Sequence, residues 1–347
     1  MVKKSRFCRW LVISLVVGLF TVAIAGCGSS NNKQQSEGTK QGTINLRLAD
    51  VVQPTHPMNV AAEKFAKKVQ EKSNGRIKIT IYPARQLGDD RQLFEQVQQG
   101  SLDMAEISVA PMGSTNPIVM ALQMPFLFTD WDQYTKVIKS EATDKLLKGL
   151  EKNNVKALAV YNAGFRHILT VNKPIKTPAD LQGMKFRTAE TPLHVDIFKA
   201  LGANPTPMPY GEIYSGLQNK VIDGLEMDLS AILMEKHYEV AKDVTLSKHF
   251  TWPAILMINT AKFNSLTPED QKIIQDAAKE VIDENVKDIA EIEKKAVSEL
   301  TAKGVKMIEL SASELAPFIE ATKGVEQKYS SQDPAIAEFV KAARNVK

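Results

Sequence analysis

Cysteine is scarce in this sequence. Two of the 347 residues are cysteines, Cys8 and Cys27, and both lie close to the N-terminus. Residues 28–347 therefore offer no thiol for a disulfide, a zinc cage or a cysteine nucleophile. A chain of this length can bury enough apolar surface to fold without such cross-links.

Nucleotide-binding and catalytic motifs are also missing. The sequence contains no G-x-G-x-x-G, G-x-x-x-x-G-K-[ST] or G-x-S-x-G run, and none of its five histidines pairs with another at four-residue spacing. These absences argue against a nucleotide enzyme, an α/β-hydrolase and a helical zinc protease. We therefore expect no cofactor.

One dense group of acids stands out, formed by Asp223, Glu226 and Asp228. Such a group could supply an acid/base pair or hold Ca²⁺. The simpler alternative is a polar turn between two helices around Gly224. The spacing of the three acids does not separate these alternatives.

The body of the chain has no excess of either charge. The sequence has 44 Lys and Arg against 40 Asp and Glu, and four of the basic residues lie within the first ten positions. Without those four, the basic and acidic residues balance. A neutral body argues against a nucleic-acid partner, which would require a basic surface to follow phosphates.

The first 26 residues have the pattern of a secretory signal. Residues 1–9 are basic, residues 10–25 carry no charge, and Gly26 precedes Cys27. The end of the apolar run resembles a bacterial lipobox, which predicts cleavage and lipidation of Cys27. The alternative is a membrane-spanning anchor, for which the run is slightly short. We expect residues 27–41, a lipidated cysteine and a polar Gly/Ser/Gln-rich tether, to hold the protein extracytoplasmically at the membrane.

From residue 43 onward, strand and helix patterns alternate. Ile44, Leu46 and Leu48 alternate with polar residues as in a strand, and an amphipathic pattern opening at Pro57 follows as in a helix. This alternation continues to about residue 258 and predicts an α/β fold with largely parallel sheets. The length of the chain suggests two domains.

The C-terminal third predicts one long helix. Thr267 and Pro268 form a strong helix start, and residues 269–303 contain no Gly or Pro. Such a helix would be about 50 Å long, longer than a small domain, so we expect it to bridge two lobes. A coiled-coil dimer is the alternative, but the apolar stripe is not a sustained heptad.

Together these features predict a tethered, two-lobed α/β receptor for a small solute, because ligands of open α/β folds lie at strand ends and at domain junctions. A series of motifs narrows this prediction. In chain order they are 85–91 (RQLGDDR), 100–103 (GSLD), 164–166 (GFR), 173–175 (KPI), 177–187 (TPADLQGMKFR), 201–208 (LGANPTPM), 212–218 (EIYSGLQ) and 221–224 (VIDG). In this order they resemble the solute-binding proteins of tripartite ATP-independent periplasmic (TRAP) transporters, DctP-like family, over residues 43–330.

The resemblance implies a periplasmic-binding-protein-like flytrap of two lobes with a long C-terminal helix that spans both. Such a protein closes on an organic acid and delivers it to membrane permease subunits driven by an ion gradient; it is not an enzyme. We expect lobe I to comprise residues 42–163 and 253–290. We expect lobe II to comprise residues 164–252 and 291–347, including the C-terminal helices.

The resemblance also implies that Arg187 binds the ligand carboxylate, since it ends the D-L-x-G-[ML]-K-x-R motif. Strand alternation supports this, because Arg187 would face a cleft while Phe186 packs into a core, and a guanidinium is bidentate toward carboxylates. Arg166, in a loop after Gly164, is the second cation; an ion pair at a hinge is its alternative role. Tyr210 is expected to lie against the ligand.

Other ligand-binding candidates carry over from similar proteins. Met227 stands where many relatives have Asn, and Asp228 follows it as an acceptor for ligand hydroxyls. This difference favours a hydroxylated monocarboxylate such as a sugar acid over a C4-dicarboxylate, because Asp228 would repel a second carboxylate. The remaining candidates are His56, Asp89, Asp90, Ser108 and Trp252. The Trp-Gly-Gly run of metal-dependent keto-acid receptors is absent, so we expect no metal.

Two competing functions remain open from the sequence. The same fold could present its ligand to a sensor kinase. An exported hydrolase or lyase could use the acids Asp223, Glu226 or Asp228.

Overall fold

The computed structural model describes residues 42–346. The predicted signal and the whole of the predicted tether, including Cys27, lie outside the described residues. In the described part the strands are β1 (Ile44–Ala49), β2 (Ile77–Tyr82), β3 (Met104–Ser108), β4 (Val155–Phe165), β5 (His167–Thr170), β6 (Lys185–Thr188), β7 (Asn204–Pro207), β8 (Gly224–Met227), β9 (Asp243–Thr245), β10 (Thr251–Asn259) and β11 (Lys306–Ile308).

The helices connect these strands and cover the sheets. They are α1 (Pro57–Lys72), α2 (Asp90–Gln99), α3 (Trp131–Ile138), α4 (Glu141–Lys148), α5 (Pro192–Ala200), α6 (Ile213–Gln218), α7 (Leu229–Met234), α8 (Thr260–Asn264), α9 (Pro268–Ala302), α10 (Ala312–Ser330) and α11 (Pro334–Asn345). Within residues 42–346, no helix has the length and apolar character that crossing a membrane requires.

The strands form two sheets, and we name a lobe after each. Lobe I contains the sheet β2-β1-β3-β10-β4, and lobe II contains the sheet β11-β9-β5-β8-β6-β7. Both sheets are mixed, whereas the sequence predicted largely parallel ones. Among the strands of residues 42–346, every antiparallel pairing involves β10 or β5. These are the strands with which the chain enters the other lobe, so the crossing reverses their direction.

Helix α9 confirms the predicted long helix. Thr267 caps it by accepting a hydrogen bond from the Asp270 amide, and the helix then runs for 35 residues without Gly or further Pro. It packs against α1 and β4 of lobe I and against α7 and β11 of lobe II. The helix therefore spans both lobes.

The C-terminal helices divide between the lobes. Helix α10 packs on α5, whereas α11 packs on α3 and α4 beside lobe I. The expected grouping of residues 291–347 with lobe II therefore does not describe α11, whose buried face contains Ile336, Phe339 and Ala343.

Two chain segments cross side by side between the lobes. Strand β4 leads into β5 with only Arg166 between them, and the return segment follows β9. The Arg166 amide donates to the Phe250 carbonyl at 2.8 Å, and the His249 amide donates to the Arg166 carbonyl at 3.3 Å. Helix α9 stabilises this crossing through Asn285, which accepts a hydrogen bond from the Asn162 amide and donates one to the Asn162 carbonyl.

Gly164 lies in this crossing with φ of +134°, a conformation that L side chains rarely adopt. A Cβ there would lie 2.6 Å from Glu293 Oε1, which accepts from the Phe165 amide at 3.0 Å. We predict that Gly164→Ala lowers the free energy of unfolding by about 2 kcal/mol. Urea denaturation should show this loss. Gly304→Ala is the matched control, because φ there is +79° but the space around it is open; an equal loss in both variants would contradict a role for the Glu293 contact.

Candidate functional site

A cavity of about 380 Å³ lies between the two lobes. Nine of the ten predicted ligand-binding residues line it: His56, Asp89, Asp90, Ser108, Arg166, Arg187, Tyr210, Asp228 and Trp252. These residues lie at or near the ends of strands and the starts of helices in both lobes. The cavity therefore has the position that the sequence predicts for a solute site.

Arg166 is buried at the crossing between the lobes. Its Nη1 donates to Asp228 Oδ2 at 2.7 Å, its Nη2 donates to the Glu226 carbonyl at 2.8 Å, and its Nε bonds the Glu226 carboxylate. The guanidinium carbon lies 3.9 Å from the ring centre of Trp252, within cation–π distance. Most donors of Arg166 are thus used by the protein itself.

Arg187 lies in β6 and lines the cavity, as strand alternation predicted. Its neighbour Phe186 stacks on Phe198 in the core, with ring centres 4.3 Å apart. Nε and Nη2 of Arg187 donate to the Met208 carbonyl at 3.0 and 2.7 Å, whereas Nη1 is buried without a hydrogen bond. Burial lowers the pKa of Arg187 to about 10, although the Glu226 carboxylate opposes this. The side chain remains a cation at neutral pH.

The sequence distinguishes Glu226 only as one of three clustered acids. The structure places it, fully buried, between two cations: it bonds Arg166, and its Oε1 lies 3.6 Å from Arg187 Nη1. The signal lies in strand β8, where Glu226 is flanked by Leu225 and Met227. A charged residue between two apolar ones in a buried strand indicates a paired charge.

Asp228 lines the cavity, but the protein already occupies its oxygens. Oδ1 caps α7 by accepting from the Ala231 amide at 2.8 Å and from the Ser230 hydroxyl at 2.6 Å, and it lies 3.5 Å from His56 Nε2. Burial would raise the pKa of Asp228, but the contacts with His56 and the charge of Arg166 hold it well below its usual range. Asp228 therefore has little capacity left for ligand hydroxyls.

The structure does not bring Met227 to the cavity. Its side chain is fully buried in the second hydrophobic cluster, with Leu225 and Leu300. The physical reason is the two-residue period of β8, which turns residue 227 away from the side where Glu226 meets Arg166. Met227 is thus a core residue.

Asp90 is a buried carboxyl group in the lobe I wall. Its Oδ1 accepts from the Ser108 amide at 3.2 Å. Burial and the neighbouring charge of Asp89 raise the pKa of Asp90 to about 7, although the Ser108 amide and Arg187 oppose the rise. Asp90 can therefore donate a hydrogen bond as a neutral acid near pH 6.

This raised pKa predicts a pH-dependent stability. Folded Asp90 holds its proton more tightly than unfolded Asp90, so its contribution is fully present below about pH 4 and is lost as pH rises to about 7. The free energy of unfolding of the wild type should therefore fall relative to that of Asp90→Asn over this window. Denaturation of both proteins at half-unit pH steps measures the difference; a difference that stays constant with pH would contradict the raised pKa.

The three clustered acids Asp223, Glu226 and Asp228 do not share one set of partners. Asp223 Oδ2 accepts from the Lys185 amide at 3.0 Å, while Glu226 and Asp228 both bond Arg166. Among residues 42–346, no group of three or more His, Cys, Asp or Glu side chains is arranged to hold a metal ion.

Comparison with known proteins gives a consistent result. Residues 48–333 match the model of the bacterial extracellular solute-binding protein family 7, DctP. The 2,3-diketo-L-gulonate-binding periplasmic protein YiaO of Escherichia coli K12 is 33% identical over 267 residues, which cover 77% of this chain and 79% of YiaO.

Solved structures share the fold as well. A TRAP periplasmic solute-binding protein from Sulfitobacter sp. NAS-14.1 with bound β-D-galacturonate gives a TM-score of 0.81 at 32% identity, covering 87% of this chain and 99% of that one. A TRAP periplasmic solute-binding protein from Pseudomonas putida F1 with bound D-glucuronate gives a TM-score of 0.82 at 32% identity, covering 88% of this chain and 98% of that one. The chain therefore belongs to the bacterial extracellular solute-binding protein family 7, the periplasmic solute-binding proteins of TRAP transporters.

Proposed function

We propose that this protein captures a hydroxylated monocarboxylate of the uronate type. The observation that carries this proposal is the state of Arg187: a buried guanidinium lines the cavity, and its Nη1 makes no hydrogen bond to any residue that the structure describes. Glu226 Oε1 is an ion-pair partner of this nitrogen at 3.6 Å but does not accept a hydrogen bond from it. A buried donor without a hydrogen bond is costly, and a ligand carboxylate would satisfy it through a charge-assisted bond.

The charges around the cavity favour a single ligand carboxylate. Its lining contains three cationic side chains, Arg91, Arg166 and Arg187, and five acidic ones, Asp89, Asp90, Glu190, Glu212 and Asp228. Asp228 is already paired with Arg166, and the raised pKa of Asp90 reduces its charge. Asp89, Glu190 and Glu212 therefore carry the negative charge that would repel a second ligand carboxylate, whereas ligand hydroxyl groups would find acceptors in them. The similar proteins described above bind a diketogulonate, a galacturonate and a glucuronate, all of which are sugar acids.

We assign the lining residues the following roles within this proposal. Arg187 binds the carboxylate, and Tyr210 lies against the ligand. Arg166 holds Glu226 and Asp228 in place and supplies charge to the site. The candidates for ligand hydroxyls are Asp89, Asp90 and the unbonded Ser108 hydroxyl, with His56 and Trp252 as walls.

Release and delivery follow from the two-lobe fold. We propose that the lobes open about the crossing near Arg166 and close on the solute, which shifts the population toward the closed state. The closed protein then passes the acid to TRAP membrane permease subunits for uptake driven by an ion gradient. Lipidation of Cys27 would anchor the protein outside the cytoplasm, and binding proceeds without turnover, cofactor or metal.

Calorimetric titration of residues 42–347 tests the ligand class. We expect D-glucuronate or D-galacturonate to bind at one site per chain and to be recovered unchanged, and succinate to bind far more weakly. Tight succinate binding without uronate binding would overturn the assignment. Conversion of the sugar acid would instead indicate an enzyme.

A further inference from the structure

Charged and polar contacts join the two lobes at the rim of the cavity. Arg85, in the loop after β2 in lobe I, faces Glu235, which follows α7 in lobe II. Their two hydrogen bonds measure 3.3 Å from Nη1 to Oε1 and 3.2 Å from Nη2 to Oε2. Gln53 Nε2 adds a third bond to Glu235 Oε1 at 3.2 Å. The Arg85 and Glu235 side chains are 25% and 16% exposed, so water screens the pair only partly.

Contacts within lobe I help to hold Arg85 in position. Ala84 and Arg85 both have left-handed backbone angles, with φ of +53° and +64°. Such angles are unfavourable for non-glycine residues and persist where the surroundings fix them. The Ala84 amide bonds the Val52 carbonyl at 2.8 Å, and Arg85 Nη1 bonds the Val51 carbonyl at 3.0 Å. The guanidinium is therefore preorganised to meet lobe II.

The same guanidinium reaches a cavity residue. The Arg85 guanidinium carbon lies 5.2 Å from the ring centre of Tyr210, and Tyr210 lines the cavity from lobe II. Arg85 thus contacts lobe II at two places, the Glu235 carboxylate and the Tyr210 ring. Both contacts join opposite lobes, so lobe opening separates them.

We infer that Arg85 and Glu235 form a latch between the lobes that holds the closed state and positions Tyr210 over the bound solute. This inference rests on the proposed function and adds residues that set the release rate. The latch stabilises the closed state selectively, because both charges are free to hydrate once the lobes part. Contacts made after the solute has entered act mainly on dissociation, so the latch slows release more than it speeds capture.

Cross-linking tests the latch without any ligand. Thr55 Oγ1 in lobe I lies 3.6 Å from Met234 Sδ in lobe II, so cysteines at both positions, with Cys8→Ser and Cys27→Ser, report closure to a short bismaleimide. We expect Arg85→Glu to slow cross-linking about fivefold. Glu235→Arg should slow it similarly, and the double reversal should restore it. Equal rates in all four proteins, or no cross-linking with the latch intact, would overturn the inference.

Release kinetics complete the test, with D-glucuronate as the probe and tryptophan fluorescence as the signal, because Trp252 lines the cavity. The single reversals should speed dissociation about fivefold with little change in association, and the double reversal should restore slow release. Arg344→Glu is the control, because its Glu326 partner lies in the C-terminal helices. Failure of the otherwise unchanged protein to bind any uronate would overturn the proposed ligand class, while the cross-linking rates would still decide the latch.

Discussion

Arg187→Ala should weaken D-glucuronate binding about 100-fold to 1,000-fold while the protein stays folded. Removing one partner of a buried charge-assisted pair costs about 2–5 kcal/mol, and each 1.4 kcal/mol is a factor of ten in affinity. Arg187 Nη1 is a buried donor that forms no hydrogen bond among residues 42–346, and its ion-pair partner Glu226 Oε1 lies 3.6 Å away. Its loss removes that donor and leaves the ligand carboxylate without its partner inside a closed cavity.

The fold should survive this change because the other charges keep partners. Glu226 stays bonded to Arg166, and Arg166 loses the repulsion of a neighbouring cation. The substitution does remove two hydrogen bonds to the Met208 carbonyl, which follows the neighbouring strand. We therefore expect a modest loss of thermal stability and an unchanged circular dichroism spectrum.

Calorimetry on Arg187→Ala and Arg187→Lys separates charge from geometry. Lysine keeps the cation but cannot bind a carboxylate in a bidentate manner. The D-glucuronate affinity of Arg187→Lys should therefore lie between that of the wild type and that of Arg187→Ala. Arg344→Ala is a matched control, because Arg344 also bonds a backbone carbonyl, that of Phe126, and a glutamate, Glu326, outside this cavity. Undiminished affinity in Arg187→Ala would show that another group binds the carboxylate.

Local signals in the sequence were enough to predict the elements that depend on neighbouring residues. The cap at Thr267, Pro268 after it and the unbroken helical stretch define α9 within one residue at each end. Alternation along β6 correctly separates the core residue Phe186 from the cavity residue Arg187. Both are short-range properties of the backbone, with periods of 3.6 and 2 residues.

Contacts that depend on how distant strands and lobes pack together could not be predicted from the sequence. Met227 was misplaced because its expected role came from its position in a motif, whereas the facing of β8 places it in the core. Glu226 meets Arg166 from 60 residues away, and Arg85 meets Glu235 from 150 residues away. Such pairs depend on strand pairing and lobe closure, which no local pattern specifies.

Arg166→Met should have a different effect from Arg187→Ala, namely a loss of about 3–5 kcal/mol in the free energy of unfolding. Arg166 is the shared partner of two carboxylates, Glu226 and Asp228, which are 0% and 1% exposed. Removing the cation from a buried ion pair leaves uncompensated charge in the interior, which is the costly way to break such a pair. The stacking contact with Trp252 is lost as well. Total stabilities are about 5–15 kcal/mol, so this loss would be easy to detect.

A second substitution decides whether stranded charge is the cause. In Arg166→Met with Glu226→Gln, one of the two carboxylates becomes neutral, so the double variant should regain part of the lost stability. Urea denaturation followed by circular dichroism measures all the variants, and Glu226→Gln alone completes the cycle. If the free energy of unfolding of Arg166→Met lies within about 0.5 kcal/mol of the wild-type value, the guanidinium does not compensate the charges of these acids. Recovery of stability in the double variant would show that the charge cluster at the cavity also stabilises the crossing between the lobes. A solute's carboxylate would then enter a site whose charges already stabilise that crossing.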